Sequence, residues 1–166
     1  IYSFSYLTSL LSLDLSVNKL KDLNSNIFND LNVLTNLNLS WNLIEEIDQN
    51  LFTSLFNLIN LDLSHNFIKF IDDFSFQSNL YLEYLYLNDN AMLKAISNHT
   101  LVGLVSIKNI YISEVVLEKY QNMMNIKNSI SSRLSKKILD FLYYESLNIL
   151  FDENDTDMIP AKCEYT

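Results

Sequence analysis

Leu58-Ile59-Asn60-Leu61-Asp62-Leu63-Ser64-His65-Asn66-Phe67-Ile68 is the stretch whose reading decides the fold. The same frame stands 24 residues earlier as Leu34-Thr35-Asn36-Leu37-Asn38-Leu39-Ser40-Trp41-Asn42-Leu43-Ile44, and 24 before that as Leu10-Leu11-Ser12-Leu13-Asp14-Leu15-Ser16-Val17-Asn18-Lys19-Leu20. Going forward it returns after 24 residues as Leu82-Glu83-Tyr84-Leu85-Tyr86-Leu87-Asn88-Asp89-Asn90-Ala91-Met92, and after 25 more at Ile107-Lys108-Asn109-Ile110-Tyr111-Ile112. The pattern L-x-x-L-x-L-x-x-N-x-L holds throughout, with Val115 the one lost asparagine. A fixed period of this length means stacked supersecondary units, none able to bury its apolar face alone.

Each unit has a second half that repeats as well. Phe4, Phe28, Phe52 and Phe76 lie 24 apart, with Leu7, Leu31 and Leu55 three residues after the first three of them. In L-x-L the leucines share one face of a short strand and point inward, because side chains alternate with a period of two. Successive strands then stack in parallel about 4.8 Å apart. Asn18, Asn42, Asn66 and Asn90 fall one above another where the chain leaves the strand, placed to satisfy backbone groups that the turn leaves unpaired. Gly103 is the only glycine, so left-handed turn positions are expected to fall to Asn and Asp.

The paired motifs, covering about residues 4–117, resemble the typical 24-residue class of leucine-rich repeats. That class is common in ectodomains of Toll-like receptors, Slit proteins and small proteoglycans. The resemblance implies an α/β leucine-rich-repeat solenoid: short parallel β-strands on the concave face, an irregular or short helical convex side, and a divergent, partly helical C-terminal cap. It divides the chain into a solenoid of about five repeats over 1–117 and a capping segment over 118–166, expected to be truncated. Within the latter, Ile130, Leu134, Ile138, Phe141 and Leu142 recur at helical spacing, predicting a helix over 131–144. Residues 147–151 read as one more strand. Ile1 in place of a methionine marks a processed or excised segment, and residues 1–7 lack the basic flank of a signal peptide.

A formal net charge of -9 disfavours nucleic acid, whose phosphates require clustered Lys and Arg, and an anionic membrane surface likewise. No apolar run reaches the ~18 residues of a membrane span. One cysteine, Cys163, excludes an internal disulfide. The two histidines, His65 and His99, fall in different parts of the repeat, and no nucleophile–base order, metal-ligand spacing or glycine-rich phosphate loop accompanies them. Asp152, Asp155 and Asp157 lack the spacing, glycine and terminal glutamate of a calcium loop. The chain is therefore expected to be no enzyme and to need no cofactor or metal.

What remains is a surface. Outward positions form columns across the strands: Ser12, Asn36, Asn60, Tyr84, Asn109 in one, Asp14, Asn38, Asp62, Tyr86, Tyr111 in the next, and Val17, Trp41, His65, Asp89, Glu114 at the strand exit. Trp41, Tyr84, Tyr86 and Tyr111, with Asp62, His65, Asp89 and Glu114 around them, have the composition of a protein-binding hot spot on the concave face. Three sequons begin at Asn38, Asn98 and Asn154, a number that 22 asparagines produce by chance. A glycan on Asn38 would cover the proposed face, so Asn98 is the expected glycosylation site. The family resemblance implies a protein-binding recognition or adhesion module of an extracellular or cell-surface receptor. An intracellular scaffold or regulatory subunit of the same fold is the alternative reading.

Overall fold

The computed structural model describes residues 4–94, 96–97 and 99–112, together with the backbone of a strand at 148–150. In chain order the strands are β1 (Ser12–Asp14), β2 (Asn36–Asn38), β3 (Glu46–Ile47), β4 (Asn60–Asp62), β5 (Phe70–Ile71), β6 (Tyr84–Tyr86), β7 (Asn109–Tyr111) and β8 (Asn148–Leu150). Six form one parallel sheet in the order β1-β2-β4-β6-β7-β8, while β3 and β5 pair in a small parallel ribbon of their own. Register never slips: Leu13, Leu37, Leu61, Leu85 and Ile110 face one another in turn, and Ile110 faces Ile149 of β8. The columns read from the sequence are thus real neighbours, and β8 falls within the stretch predicted as a further strand.

The period of two sends the central residue of each strand and the next residue but one into the core. Leu37, Leu39, Leu61, Leu63, Leu85 and Leu87 are all buried. On the return arm the phenylalanines stack face to face, Phe4 on Phe28 at 6.2 Å, Phe28 on Phe52 at 6.5 Å and Phe52 on Phe76 at 5.9 Å between centroids.

Between these stacks runs the asparagine ladder. Asn66 donates from Nδ2 to the carbonyls of Leu39, Leu63 and Ser64 and accepts from the amide of Ile44 at Oδ1. Asn42 and Asn90 repeat that pattern one coil to either side. Asn18, in the first coil, is exposed and reaches only its own carbonyls of Leu15 and Ser16.

The expected α/β class is corrected here: among the described residues there is no helix, and the convex side is built from turns. The reason lies in the three-residue spacing of Phe-x-x-Leu-x-x-Leu. Leu55 donates to the carbonyl of Phe52 and Leu58 to that of Leu55, with the same pair of bonds at Phe28, Leu31 and Leu34. These are single turns in series, each closing on a buried side chain. A helix needs a bond at every residue, each reaching back four, whereas these reach back three and skip residues between them. The helix expected over 131–144, and with it the partly helical cap and the boundary at 117/118, lie outside the described residues.

The turn chemistry also departs from expectation. Left-handed backbone falls on Val17, Trp41 and His65, with φ of 55°, 55° and 51°, and only then on Asp89 at 56°. The amide of each of the first three donates to the next coil: Val17 to Ser40, Trp41 to Ser64, His65 to Asn88. Inter-coil bonds and the asparagine ladder together impose the conformation on whatever residue stands there. Gly103 does serve a special position. Its φ is +102°, and a Cβ there would lie 2.4 Å from the carbonyl oxygen of Phe76.

Candidate protein-binding face

The open side of the six-stranded sheet carries the flanking residues of each strand. Tyr84 and Tyr86 bracket Leu85 on β6 and so project to the same side, half-buried. Tyr111 on β7 stands in register with Tyr86, and their rings stack at 4.4 Å and 8°. Burial pushes the Tyr86 phenol above its usual value, helped by Tyr111 and by the charge of Asp62. Lys108 lies over the Tyr84 ring at 5.9 Å while its ammonium pairs with Glu83 at 2.8 Å.

Trp41 and His65 belong to a separate column at the strand exit, held there by the left-handed turn. Their rings stack at 4.0 Å, and His65 Nε2 lies 3.2 Å from Asp89 Oδ2. That column is the strand-exit one read from the sequence, and it stands apart from the tyrosines. Asp62 turns to Ser64, accepting from its amide at 2.9 Å and its hydroxyl at 2.6 Å. The proposed set therefore divides into a tyrosine group (Tyr84, Tyr86, Tyr111, with Asp62 beside them) and a Trp41–His65–Asp89 column. Glu114 and Asn98 lie outside the described residues. Asn38 is half-buried, with Oδ1 accepting from the amide and hydroxyl of Ser40.

Reading for large side chains overlooked the N-terminal half of the face. Ser12, Asp14, Asn36, Asn38, Asn60, Asp62 and Tyr86 rim a shallow depression of about 270 Å³. Asp14 accepts from the amide of Ser16 at 2.8 Å, and bonding to Ser16 holds its carboxyl below the usual range. The signal was present in the column Asp14, Asn38, Asp62, Tyr86, whose alternation of acid and amide becomes meaningful only once it is read along the stack. Among the described residues no group of three or more His, Cys, Asp or Glu could hold a metal, and no helix is long and apolar enough to cross a membrane.

The leucine rich repeat pattern matches residues 32–78 and 56–114, together half of the chain. This chain belongs to the leucine rich repeat family. Among curated proteins, nothing matches it. Among solved structures it is similar to the receptor chain of the TLR13-ssRNA13 complex, with 38% identity, a TM-score of 0.56, and 61% of this chain covering 14% of that one. It is also similar to the Toll–Spatzle complex of Drosophila, a hub in development and innate immunity. There the identity is 27% with a TM-score of 0.56 for the glycosylated form and 26% with 0.52 for a second structure, each covering 89% of this chain and 16% of the other. The chain thus spans about a sixth or less of the length of these relatives. It is a leucine-rich-repeat interaction module related to the Toll type, of a fold not associated with catalysis.

Proposed function

We propose that this leucine-rich-repeat module is a ligand-binding section of an extracellular receptor and holds a protein partner against the open face of its six-stranded sheet. The observation that carries this reading is the pair Tyr86–Tyr111, in register and stacked, with Tyr84 beside Tyr86 on the same strand: three half-buried aromatic rings on a face that nothing in the chain's described part covers. Large, rigid rings of this kind dominate the energetics of protein interfaces. Likeness to the Toll–Spatzle complex supports the receptor class, the extracellular location and a protein ligand. The TLR13 complex contains RNA. Here, however, the outward columns of the sheet hold Asp14 and Asp62 and, among the described residues, no Lys or Arg, which favours protein over phosphate.

The test is selection from a displayed library of random dodecapeptides on the whole chain, followed by affinity measurement on substituted chains. Tyr86→Ala is expected to weaken the selected binders by about 2 kcal/mol or more, the range of an interface hot spot. Gln77→Ala on the return arm should leave them unchanged. Binders that respond to the return arm and ignore Tyr84, Tyr86 and Tyr111 would remove the basis for this reading.

A further inference from the structure

Every joint up to the fourth coil is crossed by a ladder asparagine and by a pair of stacked rings. Between the third coil (47–70) and the fourth (71–94), Asn90 donates to the carbonyl of Leu63 and accepts from the amide of Ile68. Phe52 stacks on Phe76 there at 5.9 Å, and the buried Asn79 adds bonds to the carbonyls of Phe52 and Leu55. Asn42 and Asn66, with the pairs Phe4–Phe28 and Phe28–Phe52, serve the two earlier joints.

Between the fourth coil and the fifth, which starts at 96, none of these ties continues. Val115, with no amide to offer, stands in the sequence where the ladder calls for its next asparagine. Leu101 takes the place of a fifth phenylalanine, so the stack of rings ends at Phe76. Asn79 interrupts the column of Leu31, Leu55 and Leu104, and its Oδ1 is buried with no hydrogen-bond partner among the described residues. A buried acceptor without a donor destabilises the packed arrangement that encloses it. At Gly103 backbone rests on backbone, since a Cβ there would lie 2.4 Å from the carbonyl oxygen of Phe76. The bond that crosses on the outside, from the Phe74 amide to the His99 carbonyl, joins two partly exposed residues. Leu101, Leu104 and Ile107 do continue the core, but apolar contact is non-directional and tolerates a tilt. The directional contacts lie on the sheet side: Leu87 donates to Tyr111, Lys108 and Asn109 donate to Glu83, and Tyr86 stacks on Tyr111.

Resting on the reading of the sheet face as a protein-binding surface, we propose that the joint between the fourth and fifth coils is a hinge pivoting on β6 and β7, and that a partner seated across the tyrosines fixes its angle. The placement of the rings couples the two. Tyr84 and Tyr86 stand on the fourth coil and Tyr111 on the fifth, so a partner that touches all three spans the joint. Its contacts then oppose opening on the far side of the coil, with no contact there.

Hydrogen exchange on the whole chain, read amide by amide, tests this, because the rates report local opening. The Phe74 amide crosses the hinge, and the Asp72 amide, bonded to the carbonyl of Ile47, crosses the joint before it. In the free chain Phe74 should exchange about tenfold faster than Asp72, each referred to its own unstructured rate. A saturating selected dodecapeptide whose affinity depends on Tyr86 should slow Phe74 about tenfold and leave Asp72 unchanged. Asn79→Leu matches its column and strands no group, since the carbonyls of Phe52 and Leu55 keep the amides of Leu55 and Leu58. It should slow Phe74 relative to Asp72 in the free chain and shrink the further protection that the peptide gives. Equal rates at the two amides in the unsubstituted chain overturn the inference, and so does a Tyr86-dependent peptide that leaves Phe74 unprotected. Both outcomes leave the protein-binding reading intact, and neither requires the variant to fold. Peptides indifferent to Tyr84, Tyr86 and Tyr111 overturn the protein-binding reading and the inference with it.

Discussion

At the scale of single residues, the ladder asparagines are not equivalent, and the difference can be counted in stranded groups. If Asn66 loses its amide, the carbonyls of Leu39 and Leu63 keep Asn42 and Asn90, and that of Ser64 keeps the amide of Trp41. Only the Ile44 amide, buried and bonded to Asn66 Oδ1, is left with nothing. Asn66→Ala should therefore cost on the order of 1–3 kcal/mol, the penalty for one orphaned buried donor. Asn18→Ala strands no group and should stay within about 0.5 kcal/mol. Equal losses at the two positions in urea melts would show that the ladder is not what holds the turns. The asparagines were legible in the sequence because one side chain type recurs at one position. The left-handed residues were not. Val17 and Trp41 have little propensity for that conformation and adopt it because the coils on either side dictate it.

At the scale of elements, the flank beside the β3–β5 ribbon carries a charged column read across three coils. Glu45 lies between Lys21 at 2.8 Å and Lys69 at 2.6 Å, and hydrogen bonds to both ammonium groups lower its pKa to about 2. A carboxylate depressed in the folded state contributes stability above its unfolded pKa, near 4.5, which is lost as pH falls through about 2. Titration followed by carboxyl carbon shifts should place the Glu45 midpoint near 2, and replacing both lysines by methionine should return it toward 4.5. A midpoint unmoved by the double substitution would mean the lysines are not the cause. This column was invisible to a reading that sorted residues into inward and strand-facing, since it sits where the chain turns away from the sheet. The strands of the main sheet were legible, because alternation and period fix both register and facing, whereas the two-residue strands β3 and β5 are too short to show an alternation and were not read. The convex arm was misread for a physical reason: a spacing of three is shared by helices and by serial turns, and only the hydrogen-bond pattern between those residues tells them apart.

At the scale of the molecule, a solenoid is stabilised by contacts between neighbouring coils, so a coil with one neighbour is held by half as many. The first coil shows this directly. Leu13 and Leu15 are half-buried, whereas Leu37, Leu61 and Leu85 in the same column as Leu13 are 2%, 0% and 0% exposed. Around them Tyr6, Leu7, Leu11 and Val17 are exposed at 89%, 46%, 60% and 77%, forming an apolar end face beside an edge of β1 that no other strand pairs among the described residues. An open strand edge flanked by exposed apolar side chains is a template for pairing with another chain. The isolated chain is therefore expected to associate as its concentration rises, through this end and not through the tyrosine face. Sedimentation equilibrium checks it. Leu11→Lys with Val17→Lys should weaken association, a leucine-rich coil fused ahead of Ile1 should abolish it, and Tyr86→Ala should leave it unchanged. A monomer at high concentration would contradict the prediction, and association that vanished with Tyr86→Ala would move the contact from the end of the stack to the open sheet.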